Sequence, residues 1–336
     1  MKLAIASGKG GTGKTTFAVN IAYVSAMRGE RTRYIDCDVE EPNGHIFLQP
    51  HITDSVPVAI PIPEVDEALC TSCGECKRIC QYSAITMILD KVIVFPELCH
   101  GCGGCALVCP TNAISEVPRE MGVIEKGIIH LAGSDGASSA QSASGDAIDD
   151  SNPVQEQTET MPVVDLQAGT EKVFFDFVQG KMNIKESLAV PIIRKAKEYV
   201  LDEGVSIVDA PPGTSCPVIE SVRGADFLIL VTEPTPFGFN DLKLAVETLE
   251  QLDIPMGIVI NRYGMGNEEV EKFCSERGLP ILGRFPFERR IAEVYSRGEI
   301  LSRELPDYRE MIESLLDDVI AMLSRQPSGG KRGVGD

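Results

Sequence analysis

Residues 8–15 read Gly-Lys-Gly-Gly-Thr-Gly-Lys-Thr, which fits the GxxxxGK[ST] spacing of a phosphate-binding loop. The apolar run before it, Lys2 to Ala6, reads as a buried parallel strand, and about Lys14 to Arg28 reads as a helix. This order of strand, glycine loop and helix constrains the fold more than any other feature of the chain. It presents backbone N–H groups and a helix N-terminus to an anion at the end of a parallel strand. Gly8, Gly10, Gly11 and Gly13 let the loop curl around phosphate oxygens, with Lys9 and Thr12 between them and Thr16 just after it. Lys14 is expected on the β- and γ-phosphates, and the Thr15 hydroxyl on Mg²⁺.

The remaining pattern agrees with such a sheet. Arg33 to Ile35 reads as a second strand, ending in Asp36-Cys37-Asp38. Ser206 to Ala210, Phe227 to Thr232 and Gly257 to Asn261 read as further strands. Helical stretches are expected around residues 240–251 and 268–277, with an amphipathic helix at 307–324. Apolar strands without alternation, separated by helices, predict a doubly wound, mostly parallel α/β sheet.

Eight of the 11 cysteines fall in two runs, which points to metal rather than to a disulfide framework. Leu69 to Thr86 aligns with Leu98 to Ser115 at an offset of 29 residues, matching every Cys and the following Ala-Ile. The spacing Cys-x2-Cys-x2-Cys-x3-Cys is the bacterial ferredoxin run, in which the fourth Cys of each run ligates the other cluster. Cys70, Cys73, Cys76 and Cys109 are therefore expected to hold one 4Fe-4S cluster, and Cys99, Cys102, Cys105 and Cys80 the second. Zinc is the rival, but structural zinc sites pair two CxxC knuckles instead. Gln81 stands where Pro is expected after the first run. The whole insertion reads as an α+β, bacterial-ferredoxin-like domain.

Composition sets further bounds. Fifty acidic against 31 basic residues give a net charge of −19, which opposes nucleic acid as a partner. No run approaches the roughly 18 apolar residues of a membrane span, so no stable membrane insertion is expected. Met1 to Gly11 has too short an apolar stretch for a secretory signal, and a cytoplasmic location follows. Residues 131–170 carry seven acids and no Lys or Arg, and read as a disordered acidic linker. The expected organisation is a first phosphate-loop segment at 1–62, the cluster insertion at 63–116 and a return segment at 117–130. The linker (131–170), a second segment of the phosphate-loop domain (171–326) and a disordered tail (327–336) follow. The last helix has six acids and three Arg between Ser302 and Arg325, so it is expected to pack on the body and not on a membrane.

The octapeptide with its second lysine resembles the deviant Walker A loop of the MinD/ParA family of P-loop ATPases, which includes the nitrogenase iron protein and Mrp-type cluster carriers. The resemblance covers nearly the whole chain outside the two insertions, and with the cysteine runs it extends to MinD-superfamily members carrying an inserted ferredoxin domain. It implies an ATPase that forms a homodimer through its ATP face, with Lys9 reaching the partner's nucleotide. It places Asp36 near Mg²⁺ and makes Asp38 the residue that orients the attacking water. Asp209, in Ser206-Ile207-Val208-Asp209, resembles a Walker B acid at the Mg²⁺ site. Asn261 matches an adenine-reading Asn, and Phe285-Pro286-Phe287 is expected to flank the base. Cys216 lies seven residues after Asp209, the offset of a cluster-ligand Cys in the nitrogenase iron protein, whereas Cys37 and Cys274 read as core. The implied function couples ATP to electron transfer or metallocluster handling for a redox partner. A cluster carrier and a positioning ATPase with structural clusters are the alternatives.

Overall fold

Lys2–Ala6 form β1, buried over its last four residues, and the sheet grows on both sides of it. The structure, a computed structural model, describes residues 1–132 and 172–325. After β1 come α1 (Lys14–Met27), β2 (Thr32–Asp36), α2 (Gly44–Leu48) and the long β3 (His51–Val65). Next are α3 (Glu75–Ile79), a hairpin of β4 (Ile85–Ile88) and β5 (Lys91–Val94), α4 (Gly104–Leu107) and β6 (Ile114–Ala132). β7 (Lys172–Met182) leads to α5 (Val190–Lys197), β8 (Val205–Asp209), α6 (Cys216–Val222) and β9 (Phe227–Thr232). The chain then runs through α7 (Pro236–Leu249), β10 (Met256–Tyr263), α8 (Glu269–Arg277) and β11 (Ile281–Pro286). Three helices close it: α9 (Arg289–Ser296), α10 (Leu301–Glu304) and α11 (Pro306–Arg325).

Nine strands form one sheet in the order β11-β10-β9-β1-β8-β2-β7-β6-β3. The first seven in that order run parallel, while β6 is antiparallel to β7 and β3 to β6. Helices cover both faces, as a parallel sheet requires. One core joins α1 to α9, α10 and α11, and the other joins α5, α6, α7 and α8. α11 buries Tyr308, Ile312, Leu315, Leu316 and Val319, so it packs on the body as its charge pattern implied. Among the described residues no helix is long and apolar enough to cross a membrane.

The antiparallel end of the sheet decides where the cysteines lie. β3 and β6 pair from His51↔Ile128 to Val65↔Ile114, but β7 accompanies β6 only from Ala132 to Gly122. Beyond Gly122 the two strands continue alone as a ribbon, about eight residues or roughly 25 Å long. β7 runs parallel to β2, and its last residue, Met182, pairs with Gly122. The ribbon therefore projects past the carboxyl edge of the parallel strands, the edge from which ligand-binding loops of such sheets arise. Both cysteine runs sit at its tip. There α3 and α4 pack together around a small core of Cys76, Ile85, Cys105 and Ile114.

Two expected boundaries move. The return segment at 117–130 lies wholly within β6, and β3 and β6 run past the insertion's expected limits to Val65 and back from Ile114. Pro57, Pro61, Pro63 and Pro118 disguised these strands. Proline is tolerated here because β3 is an edge strand and β6 lacks β7 at Pro118. The first two residues of the expected linker, Leu131 and Ala132, end β6. The rest of the linker and the tail at 327–336 fall outside the described residues.

Candidate functional site

The phosphate loop joins β1 to α1 under tight steric control. A Cβ on Gly8 would lie 2.2 Å from the Asp241 carbonyl oxygen, so no larger residue fits there. Gly13 caps α1 in the left-handed region, with φ 96°, and no side chain accepts from the helix's first N–H groups. With no acid in that first turn either, those donors point toward an anion site. The Thr12 hydroxyl is buried without a partner, an orphaned polar atom inside the same loop. These features fit a bound phosphate chain. Thr15 and Thr16 follow as half-buried residues at the start of α1, while Gly10 and Gly11 stand away from neighbouring groups.

Lys14 is almost fully buried, with Nζ 2.5 Å from Asp209 Oδ1 and 3.9 Å from Asp38 Oδ2. Burial depresses its pKa, but the Asp209 carboxylate, with Asp38 and Asp36 behind it, raises it overall. Asp209 ends β8, and its other oxygen accepts from the Tyr34 hydroxyl at 3.0 Å. Asp36, at the end of β2, accepts from the N–H groups of Asp38 (3.0 Å) and Gly44 (3.1 Å). Burial first, then repulsion from Asp209, pushes the Asp36 pKa up to about 7. Asp38 is pushed up to about 6, chiefly by burial. Three acids thus surround one ammonium. A divalent cation among them would relieve the excess negative charge, which suits the expected Mg²⁺ ligands Thr15, Asp36 and Asp209.

Lys9 is engaged within its own chain, its ammonium 2.5 Å from Glu233 Oε1. Glu233 also receives Arg262 at 2.8 Å and the Thr235 hydroxyl at 3.3 Å. Asn261 donates its side-chain amide to the Thr12 carbonyl at 2.7 Å, tying β10 to the phosphate loop. Phe285 corrects an expectation. Its ring is fully buried against Phe17 and Tyr308, so it belongs to the core and cannot flank a base. Pro286 ends β11 half-buried, and Phe287 is exposed. Glu233, Arg262 and Tyr34 are the residues that sequence reasoning missed. Glu233 follows the apolar β9 as Asp209 closes β8, and that shared strand-end position was the available signal.

The cysteines gather in two groups. Cys70, Cys73, Cys76 and Cys109 line one cavity. Cys80, Cys99, Cys102 and Cys105 line another. Cys109 Sγ accepts from the Ala113 N–H at 3.3 Å, and Cys99 Sγ from the Gly101 N–H at 3.4 Å. Among the described residues no three Cys, His, Asp or Glu side chains converge on a single metal ion. A cube places one thiolate on each of four irons, so its ligands stand farther apart than those of one ion. Four thiols around each cavity are the right donor set for such a group. Cys37 and Cys274 are buried, in keeping with a core role, whereas Cys216 opens α6 and is exposed.

Comparison with known proteins places this geometry. Over 330 residues the chain is 28% identical to an uncharacterized protein of Methanocaldococcus jannaschii, covering 95% of this chain and 98% of that one. It is 28% identical to an iron-sulfur cluster carrier protein of Aquifex aeolicus over 116 residues, 30% of this chain and 32% of the carrier. The structure superposes on the cell division ATPase MinD of Pyrococcus furiosus with a TM-score of 0.51 at 15% identity, covering 96% and 98% of the two chains. Residues 3–301 match the model of the CobQ/CobB/MinD/ParA nucleotide binding domain, and the chain belongs to that MinD/ParA superfamily of P-loop ATPases.

Proposed function

We propose that the chain is an ATP-hydrolysing iron–sulfur protein that dimerises on ATP and couples its nucleotide state to electron transfer or metallocluster handling for a redox partner. One observation carries this reading. Two four-cysteine cavities stand on a ribbon projecting past the carboxyl edge of the sheet, the edge that also bears the phosphate loop, Asp36, Asp38 and Asp209. The clusters, when bound, supply one-electron chemistry and thiolate-held iron.

The protein's own groups have distinct tasks. The α1 N-terminus and the Thr12 hydroxyl bind phosphate, and Lys14 neutralises the β- and γ-phosphates once it leaves Asp209. Thr15, Asp36 and Asp209 hold Mg²⁺, directly or through water. Asp38 orients the attacking water. Lys9 leaves Glu233 to reach the nucleotide of the other protomer. Asn261 and Pro286 border the base. Cys70, Cys73, Cys76 and Cys109 hold one cluster, and Cys99, Cys102, Cys105 and Cys80 the other.

The test is anaerobic purification, iron and sulfide counting, and electron paramagnetic resonance of the reduced protein with and without MgATP. About eight irons per chain are expected, with a spectrum or potential that responds to ATP and ceases to respond in Lys14→Ala. Absence of iron, or identical spectra in every nucleotide state, would overturn the reading. The exposed Cys216 and the likeness to a cluster carrier favour a second one, delivery of a transferable cluster from a Cys216 pair in the dimer. Cys216→Ala would then abolish transfer to an apo-acceptor and spare the eight irons.

A further inference from the structure

The 29-residue duplication makes the two cysteine sites comparable position by position. Backbone geometry follows the repeat. Ser83 and Asn112 both take left-handed φ values (56° and 53°), as do Ser72 and Gly101 (55° and 66°). The cavity linings follow it as well. Gly74, Ala113 and Ile114 at the first site correspond to Gly103, Ala84 and Ile85 at the second. The repeat is broken at two of the positions that line both cavities. Thr71 and Thr111 border the first site, and their counterparts at the second are His100 and Tyr82.

Those two substitutions act together. The Tyr82 and His100 rings stack with centroids 3.6 Å apart and planes 11° from parallel. Each ring comes from a different run and both line the cavity, so the stack bridges the two halves of the repeat beside it. Pro61 and Pro63 of the ribbon also line this cavity. Cys99 is buried there, whereas its counterpart Cys70 is only half-buried. At the first site two small threonines replace the rings, and the Thr111 hydroxyl turns toward Cys109 Sγ, 3.7 Å away.

We propose that Tyr82 and His100 form a cover over the second cysteine site, making it the site that retains its occupant and leaving the Thr71/Thr111 site as the one that exchanges. The inference rests on the cluster reading above for its occupant, but the cover itself belongs to the protein alone. Both residues are positioning residues that act by excluding solvent and reagents. An aromatic pair of this kind must unstack before a reagent reaches the thiols, which slows access by about two- to tenfold.

Two measurements on the full-length protein test this. In cluster-free protein, maleimide labelling located by mass spectrometry should modify Cys99 more slowly than Cys70. Tyr82→Thr/His100→Thr should erase the difference, and Tyr82→Phe, which keeps the ring, should preserve it. In cluster-loaded protein, iron release to a chelator should show two phases of equal amplitude that merge into one fast phase in the double variant. Equal labelling of Cys70 and Cys99, or a difference unchanged in the double variant, would overturn the cover. A protein that takes up no iron yet shows the labelling contrast would overturn the cluster reading and leave the cover standing.

Discussion

Asp36 allows the acid cluster to be weighed. Its carboxyl is fully buried, and burial followed by the Asp209 charge raises its pKa from 3.8 to about 7. Unfolding returns the group to water. Below about pH 4 it is neutral in both states and contributes nothing to the pH dependence. From about pH 4 to 7 the unfolded chain ionises while the folded one stays protonated, so folding loses stability as pH rises, and above about 7 the loss is complete. Roughly three pKa units at 1.36 kcal/mol each put the full loss at about 4 kcal/mol, of which about 3 accrue between pH 5 and pH 8. Asp36→Asn removes the ionisation and keeps an oxygen to accept from Asp38 or Gly44 N–H. The assay is urea unfolding of nucleotide-free, Mg²⁺-free protein at pH 5, 6.5 and 8. The stability of the variant relative to wild type should climb by about 3 kcal/mol from pH 5 to pH 8. Parallel pH profiles for the two proteins would refute the argument that this acid is held against its charge.

Glu233→Gln should release Lys9, whose charge-assisted bond to Glu233 contributes about 1–3 kcal/mol, and so lower the protein concentration at which ATP drives dimerisation. Sedimentation velocity with a non-hydrolysable ATP analogue measures it, and unchanged or weaker dimerisation would show that Glu233 does not restrain Lys9. Phe285→Ala removes a fully buried ring from the Phe17–Tyr308 cluster and should destabilise the chain by about 3–5 kcal/mol in urea unfolding. A change below about 1 kcal/mol would contradict its place in the core. Gly8→Ala drives a Cβ to within 2.2 Å of the Asp241 carbonyl and should abolish binding of a fluorescent ATP analogue while the far-ultraviolet dichroism persists.

What was legible in the sequence follows from the range of the signal. β1 and β9 lie where apolar runs place them, because strands buried on both faces need nothing else to declare themselves. The cysteine groups were legible because their spacing is local and duplicated. β3, β6 and β7 were not foreseen, since their prolines and glycines imitate turns and their pairing spans dozens of residues. Phe285 was grouped with Pro286 and Phe287 beside the base, yet Phe285 is buried near the end of β11, and Phe287, just past the strand's last residue, Pro286, stands outside. The Lys9–Glu233 bond joins residues 224 apart, a contact that no local pattern encodes.

The hydrogen bonds at the root of the ribbon bear on the proposed coupling. Val39, next to Asp38 and buried, accepts the Met182 N–H at 2.9 Å, so the segment leaving β2 is fastened to the end of β7. One residue on, Asn183 donates its N–H to the Met121 carbonyl at 2.9 Å, fastening that end to β6 where the ribbon leaves the sheet. Met121 is fully buried, so this root cannot slide without opening a cavity in the core. A displacement of Asp38 on nucleotide binding would therefore reach the cysteine-bearing tip through three backbone segments in direct contact, without passing through the linker. Coupling of this kind needs an element with two arrangements, and the segment from Asp38 to α2 is placed to be that element: Asp36 grips it at both the Asp38 and Gly44 N–H groups, and a cation beside Asp209 would offset the repulsion that Asp36 meets from Asp209.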